Sequence, residues 1–141
     1  MNGLMLPGGH PENVLVVLAP PHQEYRAALT EQTIKKFGCT YRSVDENRNK
    51  RLLGIMADLK ISEIQSDISK LDIREAIYVS YADKPPVQML LGAPFPGVSQ
   101  LSGALNGVAI AVDSGFVDKL YEWIAGLDVN DECSFFVRKA K

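Results

Sequence analysis

Two histidine–carboxylate pairs, His10 with Glu12 and His22 with Glu24, are the residues whose types and spacing could do acid–base chemistry. His22 is the stronger candidate. It follows a short apolar run, Val14–Leu18, and precedes a segment with helical spacing. Ligands in α/β sheets gather at the carboxyl ends of strands, and helix starts attract anions. Glu24 could then orient the imidazole. A first-turn histidine beside a carboxylate that suits the helix dipole accounts for the same residues without chemistry. The two pairs together offer four possible ligands, but their spacing matches no standard zinc signature, so no metal site is expected.

A second lead is the stretch 92–107, rich in glycine and proline and without clear periodicity. It lacks both the Walker A pattern and the dinucleotide G-x-G-x-x-G fingerprint. Read as a loop, it could present Gly97, Ser99, Ser102 and Gly103 to a small anionic ligand at a subunit interface. Asp113-Ser114-Gly115 lacks the surroundings of a nucleophile elbow and reads as a helix cap. Arg48, Lys50 and Arg51 form a small basic cluster, read as a solvated turn. Trp123 reads as core or interface. A shift that lays Cys39 on Cys133 also lays Val14–Leu18 on Val108–Val112, a faint internal echo.

These residues must be positioned by about one domain's worth of chain. The sequence has 141 residues, 46% hydrophobic and 23% charged, which suits a domain with its own core. With 15 basic and 17 acidic residues the net charge is -2, a balance that argues against a general nucleic-acid binder. No apolar run approaches the roughly 18 residues of a membrane helix. The first twelve residues have no secretory pattern, and two cysteines make no disulfide framework. A cytoplasmic protein with reduced thiols is expected. No cofactor is indicated.

Residues 1–12 read as a flexible lead-in and 13–141 as a single domain. Val14–Leu18 is expected to be a strand buried on both faces, because its apolar run does not alternate. The spacing predicts a helix over 22–37, stopped at Gly38. Strands are expected over 39–44 and 51–58, and a helix from Ser62 to Leu71, where Ser62 and Gln65 fit a capping box. Further strands are expected at 74–81, 87–91, 107–112 and 132–139, with a last helix over 116–127.

The resulting fold class is α+β, an α/β sandwich: a ferredoxin-like β-α-β-β-α-β core extended by a lone strand and a third β-α-β unit. That core is similar, in element order alone, to regulatory ligand-binding domains of the ACT type, which implies small ligands held between subunits. From Ser102 to Leu127 the chain has a partial likeness to the second half of bacterial microcompartment shell domains, while its first half follows another pattern. The expected function is therefore a non-catalytic, self-assembling module that binds a small ligand at a subunit interface. A ring- or shell-forming protein, or a small enzyme using His22 with Glu24 or Asp58, are the alternatives.

Overall fold

A computed structural model describes residues 10–19, 30–82, 84–94 and 99–125. Strand β1 (Pro11–Leu18) is followed by helix α1 (Glu31–Phe37), strand β2 (Cys39–Ser43) and helix α2 (Glu46–Ala57). A two-residue strand β3 (Ser62–Glu63) and a short 3-10 turn (Ile68–Lys70) lead into four consecutive strands: β4 (Ile73–Tyr81), β5 (Val87–Pro94), β6 (Gln100–Leu105) and β7 (Val108–Asp113). Helix α3 (Gly115–Ile124) ends the described part. The seven strands form one sheet in the order β2-β1-β4-β5-β6-β7-β3, and every pairing is antiparallel. Among the described residues the chain is thus an α+β protein with a single seven-stranded antiparallel sheet and three α-helices.

Helices cover both faces of this sheet. On one face α2 and α3 bring Leu52, Met56, Phe116, Leu120 and Ile124 down onto Val14, Val16, Ile77, Met89 and Ile110. On the other, Ile34 of α1 packs with Val17, Ala19, Ile73 and Ala76. The unbroken apolar run of β1 follows directly: Val14, Val16 and Leu18 serve one layer and Val17 serves the other.

A ferredoxin-like topology does not emerge, for two local reasons. Of residues 51–58, expected as a strand, 51–57 belong to α2 and Asp58 caps it, because Asp45 accepts a hydrogen bond from the Arg48 amide at 3.0 Å and starts a helix there. The buried residues Asn49, Leu52 and Met56 then fall on one helical face. The helix expected over 62–71 is replaced by β3 and the 3-10 turn. Asp67 takes the Ser69 amide at 3.0 Å and its hydroxyl at 2.6 Å, which closes a tight local turn in place of a helix. The Ile64 amide donates instead to Ala109 of β7. Of the helix expected over 22–37, residues 22–29 lie outside the described residues. Its remainder is α1, capped by Thr30, which accepts from the Thr33 amide at 3.2 Å. Strand β1 starts at Pro11. The strand expected at 132–139 lies outside the described residues.

The stretch read as one long loop is mostly sheet. It holds the end of β5, all of β6 and a two-residue turn. Asn106 and Gly107 have φ of 48° and 83°, the two positive values that a type I′ hairpin turn requires. The turn is pinned sideways, since the Asn106 side chain accepts from the Gln88 amide at 2.8 Å and its own amide donates to the Gln88 carbonyl at 2.9 Å. Gly103, in register between Leu91 and Ile110, permits close approach: an added methyl would collide with the Leu90 carbonyl oxygen. Gly103→Ala is therefore expected to lower stability by about 1–3 kcal/mol. The check is a urea titration with a lower midpoint and an unchanged slope.

Candidate functional site

The residues singled out for chemistry are not gathered at one place among the described residues. His22, Glu24 and Gly97 lie outside that set. His10 is exposed and bonds Glu46 at 2.7 Å, a link between the start of β1 and α2. Asp58 closes the C-terminal end of α2. Ser99 is exposed, and its carbonyl accepts from the Ser114 amide at 2.8 Å. Asp113 accepts from the Gly115 amide at 3.0 Å and so carries the helix-start role, while Ser114 makes no side-chain cap. Among the described residues no group of three or more metal-ligating side chains comes together, and no helix is long and apolar enough to cross a membrane.

Ser102 has a more informative position. It stands opposite Ala111 of β7, which stands opposite Ser62 of β3. Directly opposed residues share a face of a sheet. Two hydroxyls and one methyl therefore form a row that runs out to the sheet edge. Ser102 is half-buried and Ser62 exposed.

The α2/α3-covered face holds a group that the sequence reading passed over. Glu75 of β4 is 7% exposed and faces the core, in one register row with Cys39, Leu18 and Leu91. Burial pushes its carboxyl up to about 8, against a smaller opposing pull from Arg74. Arg74 itself pairs with Asp72 at 2.7 Å. Tyr121 of α3 lies within electrostatic reach of Glu75 and of Tyr41, and its hydroxyl is raised chiefly by burial. Tyr41 is buried, with its hydroxyl pushed up to about 12 by burial. The signal for Glu75 was present in the alternation of β4. Glu75, Ile77, Val79 and Tyr81 occupy one side, so a carboxylate sits at an inward position.

The opposite face carries a second polar cluster, also unanticipated. Glu31 at the start of α1 accepts from the Tyr78 hydroxyl at 2.6 Å and from the Gln88 side-chain amide at 2.8 Å. Lys35 lies 3.2 Å from the same carboxylate and 4.6 Å from the Tyr78 ring centroid. The hydrogen bond from Tyr78, followed by Lys35 and Gln88, outweighs partial burial and holds Glu31 below its usual range. Burial first, then the bond to Glu31, raises Tyr78. This cluster ties α1 to β4 and β5, and its groups satisfy one another.

Helices α2 and α3 are clasped reciprocally. Arg48 donates to the Trp123 carbonyl at 2.8 Å, and the Trp123 indole donates to the Arg48 carbonyl at 2.8 Å. The basic cluster expected at a turn therefore lies on a helix, and one member of it is a packing residue. Cys39 is disulfide-bonded, which corrects the expectation of a reduced thiol at that position. The other cysteine of the sequence, Cys133, lies outside the described residues.

Family models, curated proteins and solved structures give no match to this chain. Fold and sites together define an α+β protein with two separate polar clusters, one on each face of the sheet.

Two measurements check these assignments. Alkylation of the denatured, unreduced protein followed by mass spectrometry is expected to leave Cys39 unmodified, and prior reduction is expected to expose it. Glu31→Gln is expected to lower stability at neutral pH by about 1 kcal/mol or less, since the carboxylate is partly exposed. Because the folded pKa of Glu31 lies below the ordinary 4.5, its contribution is present above that value. It fades as pH falls through the folded pKa. Denaturation curves of variant and wild type should therefore converge in acid.

Proposed function

We propose that this protein is a non-catalytic module that works by self-association and binds a small anionic ligand beside the contact between two copies. The observation that carries the reading is the sheet edge at β3. That edge strand is only two residues long, and both residues are exposed. Large apolar side chains recur along the same segment. Leu59, Ile61 and Ile64 are half-buried, and Ile68 is 40% exposed. Edges of this kind are templates for another strand unless they are blunted.

The segment Lys60-Ile61-Ser62-Glu63 is self-complementary. In an antiparallel, two-fold pairing centred between Ile61 and Ser62, Lys60 of one copy stands opposite Glu63 of the other. The apolar residues on either side would supply the burial that a two-residue ladder lacks. The Ser62–Ala111–Ser102 row would then continue across the junction. Lys60 and the two hydroxyls are the groups that would receive an anion. Of the residues first considered for the ligand, Ser102 is the one this reading retains. The disulfide at Cys39 supports a working compartment in which thiols are not held reduced.

Sedimentation over a concentration series tests the proposal. A dimer is expected for the wild type. Lys60→Glu should weaken it several-fold, and combining Lys60→Glu with Glu63→Lys should restore it. Wild-type protein that stays monomeric throughout, or a double variant no better than the single one, overturns the reading. Inorganic phosphate is the probe for the ligand. It should shift the amide signals of Ser62 and Ser102 in the dimer and leave those of the monomeric variant unmoved.

A further inference from the structure

An asparagine followed by glycine carries its own electrophile and nucleophile. The side-chain carboxamide carbon is one ring closure away from the next backbone nitrogen, and a glycine there has no side chain to block the approach. Asn106-Gly107 is such a pair, and both residues are exposed at the tip of the β6–β7 hairpin. Space around Gly107 is open: a methyl added to it would meet no atom within 4 Å. Water therefore reaches the groups that would react.

The folded turn opposes the reaction in two ways. With φ of 48° and 83°, the pair occupies a type I′ turn closed by Leu105 opposite Val108. In that turn type the first central residue has a ψ of about +30°. The Gly107 nitrogen is then on the far side of the Cα–C bond from the Asn106 side chain, whereas ring closure requires the two on the same side. The second restraint is the clip to β5. The Asn106 carboxamide oxygen accepts from the Gln88 amide at 2.8 Å, and the Asn106 amide donates to the Gln88 carbonyl at 2.9 Å. The carboxamide is thus held against β5, and the backbone that carries it is anchored to the same residue.

We propose that Asn106 is a site of spontaneous modification whose rate is set by the opening of this turn. When the hairpin tip opens, the Gly107 nitrogen bonds to the Asn106 side-chain carbon Cγ. The bond from Cγ to Nδ2 breaks, and ammonia leaves with the proton that Gly107 gives up. Water then opens the cyclic imide. Attack at the side-chain carbonyl leaves an aspartate. Attack at the main-chain carbonyl leaves an isoaspartate, in which the chain runs through the former side chain. The two products differ in what they do to the fold. An aspartate at this position keeps an oxygen for the Gln88 amide. An isoaspartate adds one carbon to the main chain, so a two-residue loop no longer fits the Leu105–Val108 register. It loosens the hairpin that carries Ser102 and Ala111 toward β3.

The test incubates the full chain in mildly alkaline buffer, with and without concentrated urea, and follows by peptide mapping the mass gain of an amide-to-acid exchange. The sequence has one other Asn-Gly pair, Asn2-Gly3, which the map resolves from Asn106. Asn106 is expected to convert in urea. In native buffer its rate is expected to be lower by about tenfold or more, because local opening limits it. Protein carrying isoaspartate, purified from the urea-treated pool and refolded, is expected to exchange the Gln88 amide proton several-fold faster than unmodified protein. An Asn106 that stays intact in urea overturns the proposal. So do matching rates with and without urea, or an isoaspartate form whose Gln88 amide exchanges no faster.

Discussion

A strand buried on both faces leaves little room for polar side chains, and the β1–β4 pair sets that condition for the whole sheet. Val14, Val16, Ile77 and Val79 are fully buried on the side of α2 and α3, while Val17 and Ala76 are as deeply buried on the side of α1. Every element outside the pair answers to one of these two demands. Each face needs an apolar cover, which α1 supplies on one side and α2 with α3 on the other. Each edge needs a neighbour, which β2 supplies on one side and β5 on the other. The two polar clusters gain their character from the same source. Glu31 and Tyr78 meet where the α1 cover ends and can satisfy each other. Glu75 lies beneath a cover and has no such partner.

How much of this was legible in the sequence depends on which force decided each segment. Where burial decided, the reading succeeds: Val14–Leu18, Arg74–Tyr81 and Val87–Leu91 are strands, and Phe116 to Ile124 is helix. Leu52, Leu53, Ile55 and Met56 taken alone suggest a strand over 51–58. Extending the window back to Asn49 and the cap at Asp45 reveals helical spacing. Conversely, Ile61, Ile64, Ile68 and Leu71 have helical spacing and form no α-helix. Pairing of β3 with β7 and the Asp67 turn outweigh the local pattern.

The candidate site was less legible than the fold, and for a related reason. The stretch 92–107 shows no clear periodicity because its glycines and prolines interrupt the apolar pattern. Asn106-Gly107 between apolar runs is instead the strongest short hairpin signal in the chain. Recognising it would have placed Ser102 on a strand and suggested its row. Glu75 is visible as a charged residue at an inward position of β4, but its burial comes from the cover over that face, which no local window contains. The Arg48–Trp123 clasp joins residues far apart in sequence and had no local signature at all.

The order of strands in the sheet differs from their order in the chain, and this governs how the molecule assembles. Strands β4 to β7 are neighbours in both orders, so each can join the last through a local hairpin. Strands β1 and β2 can also pair early, since only α1 and the residues before it separate them. The central ladder between β1 and β4 cannot. During synthesis β1 emerges long before β4 exists, and its inner edge stays open until the rest of the chain arrives. Such long-range closure is slow relative to hairpin formation. The same residues that make the finished core tight are therefore the ones most exposed to the wrong neighbour while the chain is incomplete.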